Sequence, residues 1–398
     1  MTISLSEMIT DLNAKISAAD SNTPIATILE YVTEAEKLGG GKVIYTTALD
    51  LPTGDSAYEG SIAYVSQDQG LRVRGHQGWA SITDNAATEE VVAYSFQGSV
   101  SGYNTGNNAP SNNVIDKFSF VSDGNSTDVG DMAYLKYQQT GQSSATHGYI
   151  SGGSAPNSTP TFAPSYIVNI YEKFPFSVDE NSTEVAELAA QIVNAAGQSS
   201  EFYGYISGGK HLLPLPRTNV IQKFTFSTEG VGVDVGDLTA GRDEPAGQSS
   251  STHGYTSGGF IPSYTNTIDK FPFSTDANAT DVGNLIAPKG FVHGGQSSTT
   301  HGYVSGGIQP GVPTRLDVIE KFSFSTDGNA TDVGDLTLGR SEVAGQSSTT
   351  SGYTSGGEYA APISRTNTID KFPFSSDTNA TDVGDLTVIR YAHSGNQV

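Results

Sequence analysis

From about residue 91 onward the chain alternates apolar and polar positions in short runs. In Val318–Ser325 (VIEKFSFS), Ile319, Lys321 and Ser323 fall on one side and Glu320, Phe322 and Phe324 on the other. That period of two predicts a strand rather than a helix. The run returns six times, each time carrying a Phe pair: Phe118/Phe120, Phe174/Phe176, Phe224/Phe226, Phe271/Phe273, Phe322/Phe324 and Phe372/Phe374. A Gly-Tyr pair recurs with it at Tyr103, Tyr149, Tyr205, Tyr255, Tyr303 and Tyr353, at spacings of 46, 56, 50, 48 and 50 residues. Each unit contains four such segments, of which the first two (AGQSSTT and HGYVSGG in type) are joined so closely that only a hairpin fits. Four strands repeated six times predict an all-β fold, a six-bladed β-propeller of four-stranded blades over residues 91–398. The Phe pairs are expected between adjacent blades, because one blade cannot cover its own two faces. A fully buried Phe contributes about 1.5–3 kcal/mol there. Arg390–Val398 (RYAHSGNQV) matches Arg340–Ser348 in register and is the expected strand 390–398 that closes the ring, with Val91–Gly98 as the competing supplier.

The first ninety residues follow a different pattern. Leu5, Met8, Ile9, Leu12 and Ile16 share one helical face after a Ser4/Glu7 capping box. Ile25, Ile28, Leu29 and Val32 form a second stripe that opens at Thr23-Pro24 and ends at Gly39-Gly40-Gly41. Two short amphipathic helices are not stable alone, so these stripes need a partner. Residues 1–40 are therefore expected to pack on the next segment or to serve as an anchor that docks on a larger particle or self-associates. Residues 41–90 read as a small β module with a polar linker, carrying the chain's one Trp at Trp79.

Composition narrows the function classes. The 398 residues carry 20 Lys+Arg against 42 Asp+Glu, a net charge of −22, which repels phosphate backbones and argues against nucleic acid. There is no Cys, which excludes disulfides and thiolate metal sites. No apolar run reaches the ~18 residues of a membrane span, and the N-terminus lacks a basic segment followed by an apolar core.

Candidate chemistry is sparse. Lys117, Lys173, Lys223, Lys270, Lys321 and Lys371 precede the first Phe of every copy. A second basic column holds Lys136, Arg242, Lys289, Arg340 and Arg390, with Ile192 as the exception. Set against regular acids such as Asp332 and Asp335, they predict ring-wide structural ion pairs and capped turns, each contributing about 0–1 kcal/mol when exposed. His147, His253 and His301 occupy one repeat position, and Asp276, Asn278 and Asp281 offer oxygens of the kind Ca²⁺ takes. Scaffold roles account for both sets, with Asn125, Asn181, Asn278, Asn329 and Asn379 read as Asx-type turns. No catalytic residue, metal or cofactor is expected.

The unrepeated residues are the candidates for function. The loops between second and third strands differ in every copy (SAPNSTPTFAPSY, KHLLPLPRTN, FIPSYTN, IQPGVPTRLD, EYAAPISRTN), and those linking one blade to the next vary too. In an up-and-down blade both sets lie on one face, opposite a nearly uniform one. Loops displayed on a rigid scaffold commonly bind ligands, and aromatic and Arg side chains dominate such contacts. Phe162, Tyr166, Leu213, Arg217, Phe260, Tyr264, Arg315, Tyr359 and Arg365 are therefore the expected ligand- or receptor-binding face. The alternative is that they only pack the rims of their own blades.

Two resemblances follow from these residues. Gly339–Leu386, with Arg340, Tyr353, Gly356-Gly357 and Ile369-Asp370-Lys371-Phe372, resembles a kelch repeat, although Val383 and Leu386 stand where that pattern has Trp. The wording IDKFxFxxDxNATDVGDLT, together with Leu51–Ile82, is similar to virion structural proteins of marine tailed phages, cyanophages among them. This likeness implies a non-enzymatic phage virion protein, attached to other virion proteins through residues 1–90 and presenting its propeller outward. Decoration, fibre or tail assembly, or binding of a host-surface glycan or protein would be its work, with homo-oligomers compatible. The rival readings are an intracellular kelch-type adaptor and a glycan-active propeller enzyme.

Overall fold

The computed structural model describes residues 96–108, 111–155, 167–211, 217–312, 314–359 and 364–398, together with the backbone of four strands before them. Those four, Ile44–Tyr45, Ile62–Val65, Gly70–Gly75 and Gly78–Ile82, form one sheet in that order, the first pair parallel. The apolar stripes of residues 1–40 lie outside the described residues.

Tyr94–Val398 forms a separate compact unit of six four-stranded antiparallel sheets, a six-bladed propeller. Blade 1 takes its inner strand from the C-terminus: Ser394–Gln397 pairs with Ser101–Asn108, followed outward by Ser111–Ser119 and Thr127–Asp131. Blades 2 to 6 begin at inner strands Thr140–Ser143, Ala196–Ser199, Ala246–Ser249, Gly295–Ser297 and Ala344–Ser347 and run outward in chain order.

The recurring GQS letters build the axis. Gly141, Gly197, Gly247, Gly295, Gly345 and Gly395 encircle it, and a methyl on any of them would lie 2.1–2.4 Å from the carbonyl oxygen of the preceding glycine in the ring. Only a residue without Cβ lets six inner strands approach so closely. The next residue ties each blade to its neighbour. Gln142, Gln198, Gln248, Gln296 and Gln346, with Asn396 in blade 1, donate from their amides to the backbone carbonyls of Tyr205, Tyr255, Tyr303, Tyr353, Tyr103 and Tyr149. The residue after it continues the tie from blade to blade, from Gln397 N–H donating to Ser143 Oγ through Ser143 N–H donating to Ser199 Oγ at 2.9 Å to Ser297 N–H donating to Ser347 Oγ.

Aromatic rings fill the space between blades. Each second-strand Tyr lies against the Phe pair of the following blade, from Tyr103 with Phe174 and Phe176 round to Tyr353 with Phe118 and Phe120. The inner Phe of each pair is buried. The strand alternation is the one expected: Ile319 joins the cluster toward blade 6, whereas Phe322 joins that toward blade 4.

Two rings of ion pairs cross the same interfaces. Outside, the Lys before each Phe reaches an acid in the next blade's outer turn, as in Lys117–Asp179 and Lys371–Asp123, both at 2.8 Å. The acids are those of the turns, not Asp332 or Asp335; Asp332 instead accepts the Gly334 N–H at 3.1 Å. The second ring differs from the exposed pairs expected. Lys136–Glu172, Arg242–Asp269, Lys289–Glu320, Arg340–Asp370 and Arg390–Asp116 have side chains 0–2% exposed. Lys always faces Glu and Arg always faces Asp, so the summed reach is nearly constant. At the sixth interface Ile192 replaces the cation and Gln222 stands where the other blades carry the acid, both buried. The missing cation is matched by a missing anion.

The Asn turns also work across blades rather than within their own loops. Asn181, Asn278, Asn379 and Asn125 accept from the backbone N–H of Asp131, Asp237, Asp335 and Asp385 in the preceding blade. In blade 1, Asn107 does not adopt the left-handed conformation that Gly153 and its equivalents take. Its side chain donates to Ile389 O and accepts from Tyr391 N–H instead.

Removing one partner from the inner ring leaves a buried charge uncompensated. Asp370→Ala is expected to cost about 3–5 kcal/mol in urea unfolding, whereas the double change Arg340→Met with Asp370→Leu costs much less. Equal losses in the two proteins would contradict the assignment.

Candidate functional site

The structure places the two variable loop sets on one face. Residues following the double glycines pair with both loops, as Ser154 does with Tyr137 and Ile167, Lys210 with Val193 and Arg217, and Phe260 with Asp243 and Tyr264. Of the expected binding residues, Phe162, Tyr166 and Leu213 lie outside the described residues.

The others form two clusters. Arg217 pairs with buried Asp243 and lies over the Phe260 ring at 4.3 Å, and Phe260 meets Tyr264 edge to face at 5.1 Å. In the second, Glu358 is contacted by Arg315 at 3.6 Å and Arg365 at 3.3 Å, while the Arg365 guanidinium stacks on Tyr391 at 4.0 Å. Tyr359 is half-buried on the short Glu358–Tyr359 strand paired to Ser364–Arg365. The three arginines are thus held by acids of this chain, and two of them, Arg217 and Arg365, lie over aromatic rings. The arrangement orients aromatic edges and hydrogen-bonding groups.

Around the axis on this face the structure reveals a mouth the sequence reading overlooked. Gln138, Asn194, Glu244, Phe291, Glu342 and Ala392 sit at equivalent places in the six blade-to-blade loops, all left-handed with φ between 53° and 61°. Such backbone is uncommon for residues with a Cβ. A circle of backbone hydrogen bonds holds it: Gln138 N–H donates to Ala392 O, Ala392 to Glu342 O, Glu342 to Phe291 O, Val292 to Glu244 O, Glu244 to Asn194 O and Asn194 to Gln138 O. The six positions carry five kinds of side chain, with Glu at two of them. The signal was in the sequence, because all six stand two residues after the second basic column.

Electrostatics at the mouth are unusual. Burial, then Asp243 and Glu342, pushes the Glu244 carboxyl up to about 8, with Arg217 and Lys210 opposing. Burial and Glu358 push Glu342 up to about 7, against Arg315 and Arg365. Beneath lies a cavity of about 60 Å³ lined by Gln139, His293, His393 and the axial glycines. Burial drives His293 down to about 4 and His393 well below the usual imidazole range, so both are neutral at pH 7.

The other candidate groups serve the scaffold. His147, His253 and His301 bond through Nδ1 to the hydroxyls of Thr146, Thr252 and Thr300 in three separate blades. Of the Ca²⁺ candidates, Asp276 pairs with Lys223, Asn278 accepts from Asp237 N–H and Asp281 accepts from Gly283 N–H. Among the described residues no three His, Cys, Asp or Glu side chains cluster as a metal set.

No protein family matches the chain, nor does any curated protein sequence. A solved structure titled "Structure of YjhT" is similar in fold, with a TM-score of 0.54 and 13% identity over 65% of this chain and 86% of that one. That likeness shows a shared propeller architecture.

Glu244 holds a proton in the folded chain at pH values where the unfolded chain has released it. Stability is therefore full below about pH 4.5 and falls as pH rises toward about 8. Glu244→Gln is expected to remove this slope and stabilise the protein by on the order of 2 kcal/mol at pH 8, with little change at pH 5. Urea titrations at the two pH values measure it; equal effects at both would contradict the assignment.

Proposed function

We propose that the chain is a non-enzymatic virion structural protein, held on the particle through residues 1–90 and displaying its propeller for host-surface recognition. One observation carries the recognition half: chemical individuality is concentrated on a single face, at the axial mouth and in the Arg217–Phe260–Tyr264 and Arg315–Glu358–Arg365 clusters. A catalyst needs one converging set of reactive groups, whereas this face presents aromatic rings and braced arginines spread around a rim. Such surfaces suit a carbohydrate or protein epitope, with affinity concentrated in a few aromatic anchors. The particle half rests on the likeness of the repeat wording and of Leu51–Ile82 to virion proteins.

Purified protein is expected to bind host cells or a glycan array, with Phe260→Ala and Tyr264→Ala each weakening binding tenfold or more, about 1.4 kcal/mol. Unchanged binding in both variants would remove the recognition face, and turnover of a glycoside would replace the reading with an enzymatic one. Deleting residues 1–40 should leave particles that lack the chain; its retention there would refute the anchor.

A further inference from the structure

The axial cavity holds the two histidines that the scaffold does not use. Both ring nitrogens of His293 and both of His393 are shielded from solvent and have no hydrogen-bond partner of good geometry; the Ser355 backbone lies near His393. Neither residue follows the repeat. The distance from the second basic column to the axial glycine is five residues in five copies, for example Arg340 to Gly345, and six in blade 5, Lys289 to Gly295. Val292 there fills the slot next to Gly307 that Val343 fills next to Gly357, so His293 is an inserted residue. His393 stands where blade 6 has Val343, and it directly precedes Ser394–Gln397, the strand that closes the ring.

We propose that His393, with His293 beside it, is an acid-sensitive latch on the closure of the propeller. The charges that bear on His393 are Arg390 from its own connection, Arg340 from the preceding one and His293 from blade 5, all of them basic. The acids that hold those arginines, Asp116 and Asp370, are already paired with them. A proton on His393 would therefore enter a buried site among like charges. Release of Ser394–Gln397 into water removes that penalty. The sign is fixed by linkage: the opened strand takes up protons below the ordinary imidazole range near 6.5, while the closed ring does not. Closure is then complete above about pH 6.5 and weakens as pH falls, by up to about tenfold per pH unit per histidine. Blade 1 is the place to yield, because its inner strand alone joins the rest of its sheet without a chain connection.

Hydrogen exchange of the full chain, corrected for the intrinsic effect of pH, tests this. Amides of Ser394–Gln397 are expected to lose at least tenfold protection between pH 7 and pH 4.5, while the inner strand of blade 6, Ala344–Ser347, keeps its own. His393→Val installs the residue of the neighbouring copy and should abolish the loss. Deleting His293, which restores the five-residue spacing, should reduce it. Full protection of wild-type Ser394–Gln397 at pH 4.5, or an undiminished loss in His393→Val, would overturn the proposal. If that variant does not fold, the wild-type order decides alone: simultaneous loss in blades 1 and 6 means general acid unfolding and no latch.

Discussion

A closed ring of unlike pieces must satisfy one constraint: whatever each blade offers its successor, the last must offer the first. In this protein the most demanding part of that exchange is the buried cation–carboxylate contact, because an interior charge without its partner is expensive. Five interfaces meet it with a matched pair, and the sixth avoids it by carrying neither charge. The aromatic stacks, the Gln-to-carbonyl bonds and the axial glycines follow the same rule of reciprocity, each made in the same sense at every junction. Stability is therefore a property of the circle rather than of any blade.

Much of that circle was legible because repetition substitutes for comparison between proteins. The Phe pairs, the Gly-Tyr pair and the spacing near fifty residues specified four strands and six blades, and the C-terminal match to Arg340–Ser348 marks the strand that completes blade 1. Depth was harder to read. The basic column looked like surface charge, since a lone Lys or Arg is usually exposed; its burial follows from packing between blades, which no single repeat contains. The Asn turns misled for the same reason, their acceptor oxygens serving the neighbour. At the candidate site the variable rim was legible as variation. The mouth was legible only as a constant two-residue offset from the basic column; the conformation that Gln138, Glu244 and Phe291 share is set by hydrogen bonds around the axis.

The division of the molecule into a uniform face and an individual one bears on how function is carried. Side chains that join blades recur and are locked by their neighbours. Those at the mouth range over Gln, Asn, Glu, Phe and Ala although their backbones coincide, so the scaffold fixes six positions and leaves the chemistry at each open. Arg217, Arg315 and Arg365 are braced before any ligand arrives, which lowers the entropy lost on contact.

The alternation of Lys–Glu with Arg–Asp contacts has a consequence for how such a gene can be rearranged. Near-identical units invite recombination that drops or duplicates one of them. Losing the fourth would set Arg242 against Glu320, two long side chains in a gap sized for one; losing the fifth would set Lys289 against Asp370, two short ones that barely meet. The reach of the paired side chains thus acts as a sorting rule for which units can be neighbours: it disfavours loss of the fourth or fifth, whereas loss of the sixth would set Arg340 against Asp116 and keep the match.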